Sequence, residues 1–178
     1  MRKNVFKLFS NILFVILLII AGLLFYRNIF FISLEIDGSS MAPTLQQEDK
    51  GYASKLDVKR LQRFDIIVFN SNEKSLIKRI IGLPGESIEF KGYECDLYIN
   101  DTHYYQDFIN DDYKKLTCDN ASLIKNDMIY HIPDDSYFVL GDNRGASFDS
   151  NHGLGLIKKE QILGVLTCII RNNKLILF

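Results

Sequence analysis

Leu76-Ile77-Lys78-Arg79-Ile80-Ile81-Gly82-Leu83-Pro84-Gly85-Glu86 is a run of branched aliphatic residues that ends in a turn signal. The run has the length and side-chain character of a β-strand. In Leu83-Pro84-Gly85-Glu86 the proline fixes φ and the glycine accepts a positive φ, as a type II turn requires. Outward from it lie similar runs: Ile66-Ile67-Val68-Phe69, Leu97-Tyr98-Ile99, Tyr137-Phe138-Val139-Leu140 and Leu163-Gly164-Val165-Leu166-Thr167-Cys168-Ile169-Ile170. Asn100-Asp101, Pro133-Asp134 and Gly141-Asp142-Asn143 bound them with turn chemistry. With no long amphipathic helix and no repeat, the pattern predicts a mainly β domain. Between Gly92 and His131 the chain turns polar, with eight acids against three lysines. That stretch reads as an insertion or excursion from the core sheet, and a solvated loop fits its composition nearly as well.

The charge is unevenly divided. Of 178 residues, 21 are basic and 22 acidic, for a net charge of −1. Residues 1–34 carry Arg2, Lys3, Lys7 and Arg27 and no acid, which leaves residues 35–178 with 17 basic and 22 acidic side chains. Such a balance argues against a nucleic-acid binder held by phosphate contacts. From Leu8 to Tyr26 run 19 uncharged residues, broken only by Ser10, Asn11 and Gly22. As a helix they span about 28 Å, close to the ~30 Å hydrocarbon core of a bilayer. Residues 1–34 are therefore expected to be a cytoplasmic N-terminus and a single transmembrane anchor. Arg2, Lys3 and Lys7 precede the apolar run, so the positive-inside rule places residues 35–178 outside the cytoplasm. A cleaved secretory signal has a shorter apolar core and a small-x-small site. Tyr26-Arg27-Asn28-Ile29-Phe30-Phe31 offers bulky residues there instead. A buried helix of a soluble protein is the other reading. The retained anchor is favoured over both.

About 144 residues remain, enough for one hydrophobic core. His103, His131 and His152 are scattered, without the close pair spacing of a zinc site, so neither metal nor cofactor is expected. G-x-S-x-G, P-loop and dinucleotide fingerprints are missing. Cys168 lies in an apolar run, as a small buried hydrophobe would. Cys95 and Cys118 fall in the polar segment, where an extracytoplasmic disulfide would persist. Closing about 23 residues would add roughly 3 kcal/mol in the entropic account. Two free thiols are the alternative.

What remains is Gly38-Ser39-Ser40-Met41-Ala42-Pro43-Thr44-Leu45 and the lysine in the opening strand, Lys78. Alone, Ser40 is a turn serine and Lys78 an edge-strand lysine whose ammonium reaches solvent. Paired, they have a coherent chemistry: a serine hydroxyl needs a base, and a lysine amine serves when burial suppresses its charge. Moving a lysine from ~10.4 to near 7.5 requires roughly 4 kcal/mol of differential desolvation, for which Ile77, Ile80 and Ile81 supply an apolar setting.

Four blocks occur in order: Ser40-Met41-Ala42-Pro43-Thr44-Leu45, Arg63-Phe64-Asp65-Ile66-Ile67-Val68-Phe69, Lys78 to Glu86, and Gly141-Asp142-Asn143-Arg144-Gly145-Ala146-Ser147-Phe148-Asp149-Ser150. Leu97-Tyr98-Ile99-Asn100-Asp101 and Ile132-Pro133-Asp134-Asp135-Ser136-Tyr137-Phe138-Val139-Leu140 extend the match. The chain thus resembles the bacterial type I signal peptidases in their short Gram-positive form. The resemblance implies an antiparallel β-sheet catalytic domain behind one anchor. It also implies a serine endopeptidase that removes signal peptides from exported preproteins at the bilayer. By position Ser40 would be the nucleophile and Lys78 the general base. Ser147 matches the serine that orients the lysine, and Asp142, Arg144 and Asp149 match residues that hold the site together. The Ser40 N–H would contribute to an oxyanion hole.

Three departures stand out. Gly38 occupies the position where some members add a hydroxyl donor to the oxyanion hole. Asn151 stands where the family usually has an arginine paired with Asp149, a role that would pass to Arg79 or Arg144 if it is kept. Phe64 replaces a common glycine, which reads as a local turn change. The substrate is expected to be an extended peptide with small residues one and three before the cleaved bond, added along a sheet edge. Ile36, Gly38, Ser39 and Ile77 are its candidate contacts. A self-cleaving Ser/Lys regulator shares the dyad but should begin with a DNA-binding domain. A non-enzymatic anchored assembly factor would leave Ser40 as a turn residue.

Overall fold

In a computed structural model, which describes residues 2–72, 74–119 and 121–178, the apolar run opens as helix α1, Arg2–Phe30. Its 20 residues Asn11–Phe30 are long and apolar enough to cross a membrane, and no part of them is buried against the rest of the chain. Phe14, Leu17, Ile19 and Leu23 all project into open space. The helix passes directly into strand β1 (Phe31–Glu35).

The strands that follow are β2 (Lys50–Ser54), β3 (Ile66–Ser71), β4 (Lys74–Gly82), β5 (Ser87–Lys91), β6 (Asp96–Ile99) and β7 (Thr102–Tyr104). After a short helix α2 (Asp111–Lys115) come β8 (Tyr130–His131), β9 (Ser136–Leu140), β10 (Ile157–Lys158), β11 (Ile162–Arg171) and β12 (Lys174–Leu177). All pairings are antiparallel. The main sheet runs β1-β2-β11-β3-β4-β9-β10, with β12 also on β11, and the second runs β7-β6-β5-β8. The mainly β, antiparallel architecture expected from the sequence is what forms.

Leu83–Glu86 turns as its residues dictate: Gly85 has φ +77° and the Glu86 N–H donates to the Leu83 carbonyl at 3.3 Å. This turn carries the chain from the main sheet into the second one. The segment 92–131 accordingly contributes to an ordered sheet and shares one core with the first. Phe90, Leu97, Ile99 and Ile124 pack with Ile81, Phe138 and Leu140. Cys95 and Cys118 are joined by a disulfide with their Cα atoms 6.1 Å apart, which ties β6 to the loop after α2. Cys168 is a free thiol, only half-buried on β11.

Phe64 keeps the backbone that a glycine would adopt, with φ +73°. Arg63 and Phe64 are the central residues of a turn closed by the Asp65 N–H on the Gln62 carbonyl. The residue that takes the positive φ of this turn is Phe64 rather than a glycine. Its aromatic ring packs on Tyr104 and Phe108 of the second sheet, which offsets the left-handed strain.

Candidate active site

Strand β4 carries the central lysine. Its first residues are exposed, but from Lys78 onward every residue is buried. Lys78 is only 3% exposed, and Ile77, Met41, Leu45 and Ile36 form the apolar cluster beside it. Its Nζ lies 2.8 Å from Ser40 Oγ and donates to the Ile77 carbonyl at 3.0 Å. Burial pulls its pKa below that of free lysine, against the opposing pull of the Asp149 and Asp142 carboxylates.

Ser40 opens a tight turn, with the Ala42 N–H on the Ser39 carbonyl and the Leu45 N–H on the Met41 carbonyl. The loop after β9 clamps this turn: the Asn143 N–H donates to the Ser40 carbonyl (3.1 Å) and Asn143 Nδ2 to the Ser39 carbonyl (3.1 Å). Ser40 is half-buried, so its hydroxyl is held yet reachable.

Two buried carboxylates lie behind the pair. Asp142 takes both arms of Arg79, at 2.9 and 2.5 Å, and the Thr44 hydroxyl at 2.5 Å. Arg79 also donates to the Phe64 carbonyl and stacks 4.0 Å from the Phe108 ring centroid. Asp149 accepts from the Gly141 N–H (3.0 Å), the Asn151 N–H (3.2 Å) and the His152 ring (2.8 Å). Arg144 is buried and donates to the Gly141 carbonyl, Thr117 Oγ1 and Gln106 Oε1. Burial lowers its pKa to about 10, so it stays a cation at neutral pH.

The Ser147 hydroxyl is buried and has no hydrogen-bond partner among the described residues; it sits against Gly141, next to the Ser40 carbonyl. Ile36, Gly38 and Ile77 line a cleft of about 130 Å³ together with Ser40, Met41 and Lys78. Ser39 lies outside that lining and faces Asn143. A larger cleft of about 430 Å³, between Asp57, Arg60, Gln62 and Phe178, touches neither Ser40 nor Lys78. Chemistry rather than size singles out the smaller one. From Lys74 to Lys78, β4 pairs with β3 on one side only, because β9 joins at Arg79, and this open edge borders the cleft. Gly38 has φ +98°, so a serine there would be strained in the present backbone.

Neither Arg79 nor Arg144 compensates for the missing arginine at Asn151. Asn151 binds the backbone of Thr117 and Ile124, and the side chain that meets Asp149 from this loop is the His152 ring, at 2.8 Å. The sequence assigns His152 no role in the site, only a scattered place among three histidines. Its place three residues after Asp149 was the available signal.

The family model "Signal peptidase, peptidase S26" matches residues 7–170. A signal peptidase I of Bacillus amyloliquefaciens is 38% identical over 141 residues, covering 78% of this chain and 75% of the relative. Signal peptidase I S of Bacillus subtilis is 38% identical over 145 residues, covering 79% and 77%. A solved signal peptidase I of Enterococcus faecalis, 36% identical, covers 61% of this chain and 97% of that one with a TM-score of 0.47.

Proposed function

This chain belongs to the signal peptidase family, peptidase S26, and we propose that it removes signal peptides from exported preproteins with Ser40 as nucleophile and Lys78 as general base. The observation that carries the reading is the 2.8 Å contact between Lys78 Nζ and Ser40 Oγ inside an apolar surround. A neutral amine at that distance accepts the hydroxyl proton as Oγ attacks the scissile carbonyl. The Ser40 N–H supports the oxyanion, and Gly38 adds no side-chain donor to it. The resulting Lys78 ammonium protonates the leaving amine, which departs as the mature N-terminus. Lys78, neutral again, then takes a proton from the water that hydrolyses the acyl-serine and returns it to Ser40 Oγ as the acyl bond breaks. Asp142, Arg144 and Asp149 are read as supports that fix the loop against which the turn at Ser40 rests, whereas Ser147, expected to orient the lysine, makes no hydrogen bond among the described residues and only packs against Gly141.

The preprotein lies extended between residues 35–38 and the open edge of β4, as an added strand. A cleft of about 130 Å³, against the ~300–1,000 Å³ of small-molecule sites, suits small side chains at the first and third residues before the cut. Helix α1 anchors the enzyme in the bilayer with Arg2, Lys3 and Lys7 on the cytoplasmic side, and residues 35–178 act outside.

Purified full-length protein in detergent micelles, incubated with a labelled preprotein, should release a new N-terminus after a small-x-small site. The Ser40→Ala protein should not. Equal cleavage by both would overturn the dyad. Protease added to wall-less cells should cut within 92–131 and leave the N-terminus intact, and the reverse pattern would overturn the orientation.

A further inference from the structure

Asp149 receives only donors. The N–H groups of Gly141 and Asn151 point at its carboxylate, and the His152 ring meets the same group at 2.8 Å through Nδ1. The other ring nitrogen, Nε2, lies 3.1 Å from the carbonyl oxygen of Asp119, which can only accept. An imidazolium, with hydrogen on both nitrogens, is the form that satisfies both acceptors at once. The Asp149 side chain is fully buried and that of His152 is 16% exposed, so water screens the pair weakly.

Asp149 in turn holds Gly141, which touches both the Ser40 carbonyl and the Ser147 hydroxyl. The two carboxylates behind Lys78 both favour its charged form, and Arg79 already neutralises Asp142 in a two-armed pair. Among the described residues no arginine pairs directly with Asp149, and Arg144 acts on it only through space. We propose that His152, held as an imidazolium between Asp149 and the Asp119 carbonyl, is a positioning residue that neutralises Asp149 behind the dyad and so lets Lys78 act uncharged. This deepens the Ser40/Lys78 reading and rests on it.

Among the described residues, the charged groups about His152 are Asp149 on its own loop, Asp119 across the cleft and Arg144 beneath. The hydrogen bond to Asp149 raises the His152 pKa, while burial and Arg144 act in the opposite direction. The cation accordingly persists to higher pH than in a free histidine and is lost as pH climbs through this raised value.

The test uses full-length protein in detergent micelles and two readouts. In protein with ¹⁵N-labelled histidine rings, one ring absent from spectra of His152→Gln should titrate above the ordinary ~6.5. This reading is equally possible in the inactive Ser40→Ala protein, so it stands apart from the fate of the dyad. Titration at or below the ordinary value overturns the proposal. In preprotein cleavage, His152→Gln should shift the ascending limb of the pH profile upward by on the order of half a unit. Activity would be about threefold lower near neutrality, and the deficit would narrow toward alkaline pH, where the parent also loses the cation. His152→Arg, which keeps a cation, should stay on the parental limb. A His152→Gln limb that superimposes on the parent, or a His152→Arg limb as displaced as that of His152→Gln, overturns it.

Discussion

Gly141 lies against Ser40 with no room for a side chain between them: a Cβ on Gly141 would come closer than 3.0 Å to the Ser40 carbonyl oxygen and to Ser147 Oγ. The first neighbour is backbone and cannot rotate away. Gly141 also donates to Asp149 and accepts from Arg144, so it is pinned from behind. The loop after β9 and the turn at Ser40 thus meet across a bare α-carbon.

Gly141→Ala should therefore displace Ser40 or Ser147 rather than be absorbed. The expected outcome is a loss of about 1–3 kcal/mol in stability from overpacking. Cleavage should fall by at least a hundredfold, as misplacement of about 1 Å at a nucleophile does. Thermal melts and cleavage rates on one preparation compare the two losses. Full activity would mean that the close approach is not required.

Ser40→Ala and Lys78→Ala should each reduce preprotein cleavage by about a thousandfold or more, since partners acting as a unit fail together. Lys78→Arg should fail as well, because guanidinium keeps its proton near neutrality. Single-turnover rates of the three variants check this, and substantial activity in any of them contradicts the assignment.

Lys78 has its pKa lowered chiefly by burial. The neutral amine is the working form, so cleavage should rise with pH through a midpoint below the 10.5 of free lysine. The sign for stability follows. At pH below the folded pKa the protein buries a charge, and stability increases as pH rises from the folded toward the unfolded value. Lys78→Met, which removes that charge and keeps the bulk, should leave Tm unchanged or raise it at neutral pH. A fall of several degrees would show that the buried lysine is stabilising.

The Cys95–Cys118 disulfide closes 23 residues of chain around β6, β7 and α2. Replacing both cysteines with serine should cost on the order of 3 kcal/mol and increase proteolysis within 92–131. Turnover should change less than stability, since neither cysteine reaches Ser40 or Lys78. Peptide mapping without reductant reports the bond directly: alkylation of both thiols in exported protein would contradict it.

Much of the fold was legible because its signals are local. Branched runs gave β3, β4, β6, β9 and β11, and Pro84-Gly85 gave the turn between the sheets. Strands β1, β2, β5, β7, β8, β10 and β12 were not identified, since sequences such as Lys50-Gly51-Tyr52-Ala53-Ser54 have no strong alternation and become strands by pairing with neighbours. The polar stretch 92–131 likewise gained its order from β5 and from the core under it.

The sequence by itself determined the residue types of the site: a serine, a strand lysine, two acids and two arginines in a fixed order. It also determined one apolar segment of membrane length. Only the tertiary structure decided that Lys78 is buried 2.8 Å from Ser40, that Arg79 serves Asp142, and that His152 takes the place beside Asp149. The reason is physical. Strand period and turn chemistry act over a few neighbouring residues, whereas the charge state of a lysine depends on which distant segments exclude water from it and which charges they bring.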